Sequence, residues 1–149
     1  MAKQKKYPWL NALLMTLVTV SWTSGVLFFT FNRWVRIDSE FGTLNHPLQH
    51  IFLTIHGASA FLMMILYGFF IGTHVIPHWQ RPKKVPFGPS LFFSIGGLIF
   101  SAYLLYYVGH TGVRTIVMAV HVSIGFLLPV IMGLHITAMI KRSKQLNQK

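Results

Sequence analysis

Polar residues fall along this chain in blocks, and between the blocks run four nearly unbroken apolar stretches, at about 9–31, 48–76, 88–108 and 113–140. A transmembrane strand would show alternating segments of about ten residues, whereas a helix needs about twenty residues to cross roughly 30 Å of hydrocarbon. Each stretch meets the helical requirement. The pattern therefore predicts an all-α, integral membrane four-helix bundle, read as a single domain over 1–149. The polar breaks are KQKKYPW at the start, a 16-residue loop NRWVRIDSEFGTLNHP from Asn32 to Pro47, HWQRPKKVPFGP, and a very short GHTG turn. Prolines from Pro77 to Pro89 are expected to end the second span at Pro77.

Composition agrees: 53% of the 149 residues are hydrophobic and 10% charged, which leaves no room for a large soluble catalytic domain. The first apolar run follows MAKQKK without a small-residue cleavage site, so a retained span is expected. A net charge of +11 raises the question of nucleic acid, but the basic residues sit at the ends of spans and form no single soluble patch. They set topology instead. Lys3, Lys5, Lys6, Arg81, Lys83, Lys84, Lys141, Arg142, Lys144 and Lys149 fall on one side, and Arg33, Arg36 and Arg114 on the other. The positive-inside rule then makes both termini cytoplasmic, in what is expected to be a bacterial inner membrane. The absence of cysteine excludes disulfides, thiolate-held iron–sulfur clusters, covalent haem attachment and a thiol nucleophile.

Histidine carries the chemistry. His56 and His74 lie in the second span, and His121 and His135 in the fourth. At 100° per residue, 18 residues return to about 0° and 14 residues to about 40°, so on regular helices each pair shares one face. The second and fourth spans run in the same direction, which puts His56 and His121 at one level and His74 and His135 at the other. The steps measure about 27 Å and about 21 Å, and tilt of the second span brings them toward agreement. An imidazole in a bilayer is expensive and usually functional. Four of them at two levels point to two non-covalent, bis-histidine b-type haems, with His56 and His121 on the outer iron and His74 and His135 on the inner. Read one at a time, each histidine serves equally well as an inter-helix hydrogen bond. Gly57, Gly68, Gly72, Gly125 and Gly133 flank these positions, either to clear room for a flat macrocycle or to let helices pack closely. Pro129 is expected to kink the fourth span.

The stretch LTIHGASAFLMMILYGFFIGTHV resembles the second helix of the di-haem cytochrome b of quinol:cytochrome c oxidoreductases. HVSIGFLLPVIMGLH resembles that family's fourth helix, including a Leu-Pro between ligands 14 residues apart. The family spaces its second-helix ligands by 14 as well, where this chain has Phe70 and places histidine at His74. Most of the chain is also similar to the cytochrome b subunits of formate dehydrogenases and hydrogenases. The resemblance implies electron transfer across the bilayer between a quinone pool and a partner redox subunit, such as a c-type cytochrome or an iron–sulfur protein, in a hetero-oligomeric complex.

Haem propionates seek cations, which makes Arg33, Arg36 and Arg114 the outer candidates and Arg81, Lys83 and Lys84 the inner ones. Quinone chemistry needs a titratable group beside a haem edge. The outer loop offers Asp38, Glu40, His46 and His50, and the inner side His78 with Trp79. Asp38 and Glu40 have a plainer use as ion-pair partners of Arg33 and Arg36. Such a chain is an electron-transfer subunit and not a stand-alone enzyme. Two other readings compete: a small transporter using histidines for protons or metal ions, disfavoured by the lack of intramembrane carboxylates, and a haem-free membrane anchor. The two halves of the chain also permit a loose pseudo-repeat in which only the second span of each half bears ligands.

Overall fold

All four apolar stretches form helices long and apolar enough to cross a membrane, Trp9–Trp34, Pro47–Val75, Gly88–Tyr107 and Thr111–Gln145. They are seen in a computed structural model that describes residues 8–40, 42–79 and 86–148. Lys3, Lys5, Lys6, Arg81, Lys83, Lys84 and Lys149 lie outside the described residues. The chain divides into two compact units, Met1–Phe70 and Ile71–Lys149.

In the first unit, helix α1 (Pro8–Trp34) and helix α2 (Pro47–Phe70) flank a two-stranded antiparallel ribbon, β1 (Arg36–Ser39) and β2 (Gly42–Asn45). Residues 32–47 are thus not the plain loop expected. Three of them extend α1, and Arg36, Ile37, Asp38 and Ser39 pair with Asn45, Leu44, Thr43 and Gly42. Gly42, at φ 108°, occupies a conformation that a side chain would strain. The Ser39 hydroxyl fastens the same corner by donating to the Gly42 carbonyl at 2.7 Å.

The facing surfaces of α1 and α2 carry small side chains, which let two helices approach closely. Ser21, Ser24 and Ser59 are buried together with Leu10 and Val18. The Ser24 hydroxyl is satisfied by its own helix, on the carbonyls of Val20 at 2.6 Å and Ser21 at 3.1 Å. Contacts of Gly25 with His56, Phe31 with Phe52, and Asn32 with Gln49 fix an antiparallel register.

The second unit opens with a π-helical turn (Ile71–Val75), continues in helix α3 (Ile76–Trp79), and forms a second hairpin from α4 (Gly88–Tyr107) and α5 (Thr111–Asn147). The expected end of the second span at Pro77 is corrected: helical winding persists to Trp79. Pro77 sits in the first turn of α3, where its missing N–H costs nothing. The π turn lies just ahead of it. Pro77 has no N–H for the Thr73 carbonyl and its ring crowds that carbonyl, and a widened turn relieves both. Only Val108, Gly109 and His110 separate α4 from α5. Antiparallel register follows at once, with Ser101 against His121, Gly97 against Ile124, Leu98 against Gly125, and Gly88 against His135. Ser101 and Leu128 are buried. Helical winding of α5 runs through Pro129 without interruption.

Candidate functional site

Three of the four span histidines use the same ring nitrogen in the same way. In the first unit, His56 Nδ1 lies 2.8 Å from the Ser21 carbonyl oxygen and 3.4 Å from the Ser21 hydroxyl. A carbonyl only accepts, so Nδ1 carries the proton. In the second unit, His135 Nδ1 lies 3.3 Å from the Pro86 carbonyl, which fixes the same tautomer. His121 Nδ1 lies 2.8 Å from the Ser101 hydroxyl oxygen. That hydroxyl has one proton, and the carbonyls of Gly97 at 2.7 Å and Leu98 at 3.1 Å stand in line to accept it. Ser101 therefore accepts from His121. In all three rings the lone pair rests on Nε2, the nitrogen farther from the helix backbone. Metal-bound histidines are held in this manner, one nitrogen donating its proton to a protein oxygen and the other coordinating.

Local structure explains each contact. His121 and His135, 14 residues apart on α5, share the face of that helix that rests on α4, and both are half-buried. Their partners lie at opposite ends of α4. Pro86 precedes the helix, and Phe87 at φ 64° turns the chain into it. Such a backbone costs a bulky residue about 1–3 kcal/mol. Gly25 makes room for His56: a methyl group there would sit 2.9 Å from the imidazole Cε1 and Nδ1. At Gly88 the corresponding distance to His135 Cε1 is 3.6 Å, an ordinary contact.

His74 belongs to the π turn and is half-buried. The uniform 100° per residue on which its alignment with His56 was reckoned stops at Phe70. Of the flanking glycines, Gly125 packs at 3.9 Å from Leu98, while a methyl group at Gly68, Gly72 or Gly133 would meet nothing within 4 Å.

The outer arginines separate. Arg33 is exposed in the last turn of α1 and Arg114 in the first turn of α5. Arg36 is committed to its own ribbon, donating to the side-chain oxygen of Asn45 and, at 3.1 Å, to the Asn32 carbonyl. Asp38 shares the exposed ribbon, and Glu40 is exposed in its turn. Among the described residues neither carboxylate is ion-paired with Arg33 or Arg36.

Two histidines expected at the membrane surface have a different use. His46 Nδ1 accepts from the backbone N–H of Leu48 at 3.2 Å, and His110 Nδ1 accepts from that of Val113 at 3.4 Å. Each caps the helix that bears a ligand candidate. Their tautomer is the reverse of the span histidines'. His50 is exposed, and its carbonyl accepts from the Thr54 hydroxyl. Trp79 stands edge-on to Phe92 at 5.9 Å and to Phe93 at 6.4 Å, and with Ile71, Val75, Ile76 and Phe92 it lines an apolar cleft of about 410 Å³.

The sequence reading missed Ser21, Gly25, Ser101 and the Pro86 carbonyl. A signal for two of them existed: Gly25 and His56, and Ser101 and His121, stand nearly equidistant in sequence from the middle of their own turns, as antiparallel neighbours must.

Among the described residues no three His, Cys, Asp or Glu side chains gather into a group able to hold a metal ion by themselves. A porphyrin brings four nitrogens of its own and asks the protein for two more. The chain matches no protein-family model, and comparison with curated proteins and with solved structures finds none similar to it.

Proposed function

We propose that the chain is a membrane-embedded b-type cytochrome, in which His56, His74, His121 and His135 are axial ligands of two non-covalent haems. The observation that carries this reading is the common state of His56, His121 and His135, each with Nδ1–H given to a protein oxygen and the lone pair held on Nε2. His46 and His110 also bond through Nδ1, but as acceptors, so it is the proton on Nδ1 and not the choice of nitrogen that sets the three apart. Haem b, held by these imidazoles, would supply a one-electron couple.

The residues of the chain orient and insulate. The Ser21 and Pro86 carbonyls and the Ser101 hydroxyl fix ring planes, Gly25 admits the His56 ring, and the long apolar helices keep water from the ligands. Arg33 and Arg114 are the guanidiniums best suited to propionates, since Arg36 already serves the ribbon. In this reading electrons cross the bilayer between a quinone pool and a partner redox subunit, in a bacterial inner membrane with both termini cytoplasmic. The topology rests on the distribution of basic residues, and the quinone link rests on the resemblance to di-haem cytochromes b.

The test is a reduced-minus-oxidised visible spectrum of the purified protein, with a pyridine haemochrome count per chain. Two b-type haems are expected, and no bound haem overturns the reading. Single alanine substitutions at His56, His74, His121 and His135 should each remove one haem and spare the other. Substitutions that remove the same absorption band identify the two ligands of one iron.

A further inference from the structure

Three imidazoles donate through Nδ1, and their acceptors are not alike. His56 and His135 give their protons to main-chain carbonyls, of Ser21 at 2.8 Å and Pro86 at 3.3 Å. His121 gives its proton to a side chain, the Ser101 hydroxyl, at 2.8 Å. Ser101 is 5% exposed, and its own proton is taken by the carbonyls of Gly97 and Leu98 on the same helix. The result is a two-step relay of hydrogen bonds, imidazole to hydroxyl to helix carbonyl. Bonds in such a chain polarise one another, so the hydroxyl oxygen is a better acceptor than a lone serine would be.

We infer that Ser101 is a positioning residue that sets the electron affinity of the iron ligated by His121. The inference rests on the cytochrome reading. An imidazole whose far N–H is drawn toward an acceptor becomes a stronger donor through its other nitrogen, which favours ferric over ferrous iron and lowers the reduction potential. The acceptor of His135 is a main-chain atom, and His56 leans chiefly on the Ser21 carbonyl at 2.8 Å, with the hydroxyl of the same residue a much longer contact at 3.4 Å, so neither offers one side chain whose removal takes away the main bond. Ser101 is the position where a single substitution alters ligand strength and leaves the ligand in place.

The experiment is a potentiometric titration of both haems in the full chain, followed by visible and low-temperature electron paramagnetic resonance spectra. Ser101→Ala should keep two haems and raise the potential of one, by a roughly tenfold change in ferric-to-ferrous preference, or 59 mV for one electron. Ser101→Cys retains bulk but offers only a weak sulfur acceptor, and should shift the same haem the same way by less. Ser101→Thr keeps the hydroxyl and should restore the original potential. Ser21→Ala keeps the 2.8 Å carbonyl bond of His56 and removes only the 3.4 Å hydroxyl contact, so any shift it causes should be a small fraction of that in Ser101→Ala.

Two haems with no shift in either Ser101→Ala or Ser101→Cys overturn the inference and leave the cytochrome reading standing. An equal shift in Ser21→Ala overturns it as well, since packing alone would then explain the change. No haem in the unaltered chain overturns the cytochrome reading itself. Where Ser101→Ala retains too little haem to titrate, the contrast between Ser101→Cys and Ser101→Thr decides in the same way.

Discussion

The two hairpins of this protein solve one problem with different parts. In both, the first helix contributes a buried serine, and the second bears a half-buried histidine whose Nδ1–H points at that serine, at its carbonyl in Ser21 and its hydroxyl in Ser101. In both, a histidine at the entrance to the second helix caps it. They differ in how tightly the ring is held. His56 is pressed against Gly25 so closely that a methyl group has no room, whereas His121 faces a relay of hydroxyl and carbonyl groups. They differ also at the turn, a four-pair ribbon in the first hairpin and three residues in the second. A shared constellation built by unlike local means indicates that the state of the imidazole is what both hairpins conserve physically.

Substitutions that treat the hairpins unequally test this comparison. The largest contrast is at the helix-facing glycines. Gly25→Ala drives a methyl group into the His56 ring at 2.9 Å and should cost about 1–3 kcal/mol and displace that ring, whereas Gly97→Ala meets only the flexible end of Ile124 at 3.5 Å and should stay within about 0.5 kcal/mol. Thermal unfolding in detergent and haem content measure both. Equal losses would mean that the ring of His56 is not held by Gly25.

Next come the turns. Gly42→Ala places a side chain at φ 108° and should destabilise the ribbon by about 1–2 kcal/mol, while Gly109→Ala, with nothing within 4 Å, should be nearly silent. Amide exchange in β1 and β2 reports the first effect. Smaller again are the caps. His46→Ala and His110→Ala should each cost about 0.5–1 kcal/mol, His46 the more because its bond is shorter at 3.2 Å against 3.4 Å, read as faster exchange in the first turns of α2 and α5. The last contrast is at the serines: about 0.6 kcal/mol for Ser101→Ala, the average for hydrogen bonds between membrane helices, and less for Ser21→Ala, whose carbonyl remains.

Much of this was legible beforehand. Apolar runs of twenty or more residues placed all four helices within a few residues at most ends, because an unbroken run of that length favours a helix over alternating strands. The second span was the exception: the widening of its winding at Ile71–Val75 depends on how the backbone ahead of Pro77 shares out its hydrogen bonds, and hydropathy is blind to that. The ribbon at Arg36–Asn45 was missed because four-residue strands rich in polar side chains carry almost no apolar alternation. The histidines drew attention by their rarity in apolar segments, yet their roles divided only when partners could be seen. His46 and His110 accept, and His56, His121 and His135 donate.

Sequence alone determined four helices long and apolar enough to cross a membrane, the absence of thiol chemistry and the set of imidazoles, because composition and length act on each segment separately. Tertiary structure decided which nitrogen of each ring holds its proton, which glycine must stay a glycine and which serine a ligand candidate leans on. Those properties belong to pairs of residues 20 to 49 positions apart in the chain, and only the packing of one helix on another brings such pairs within reach of a hydrogen bond.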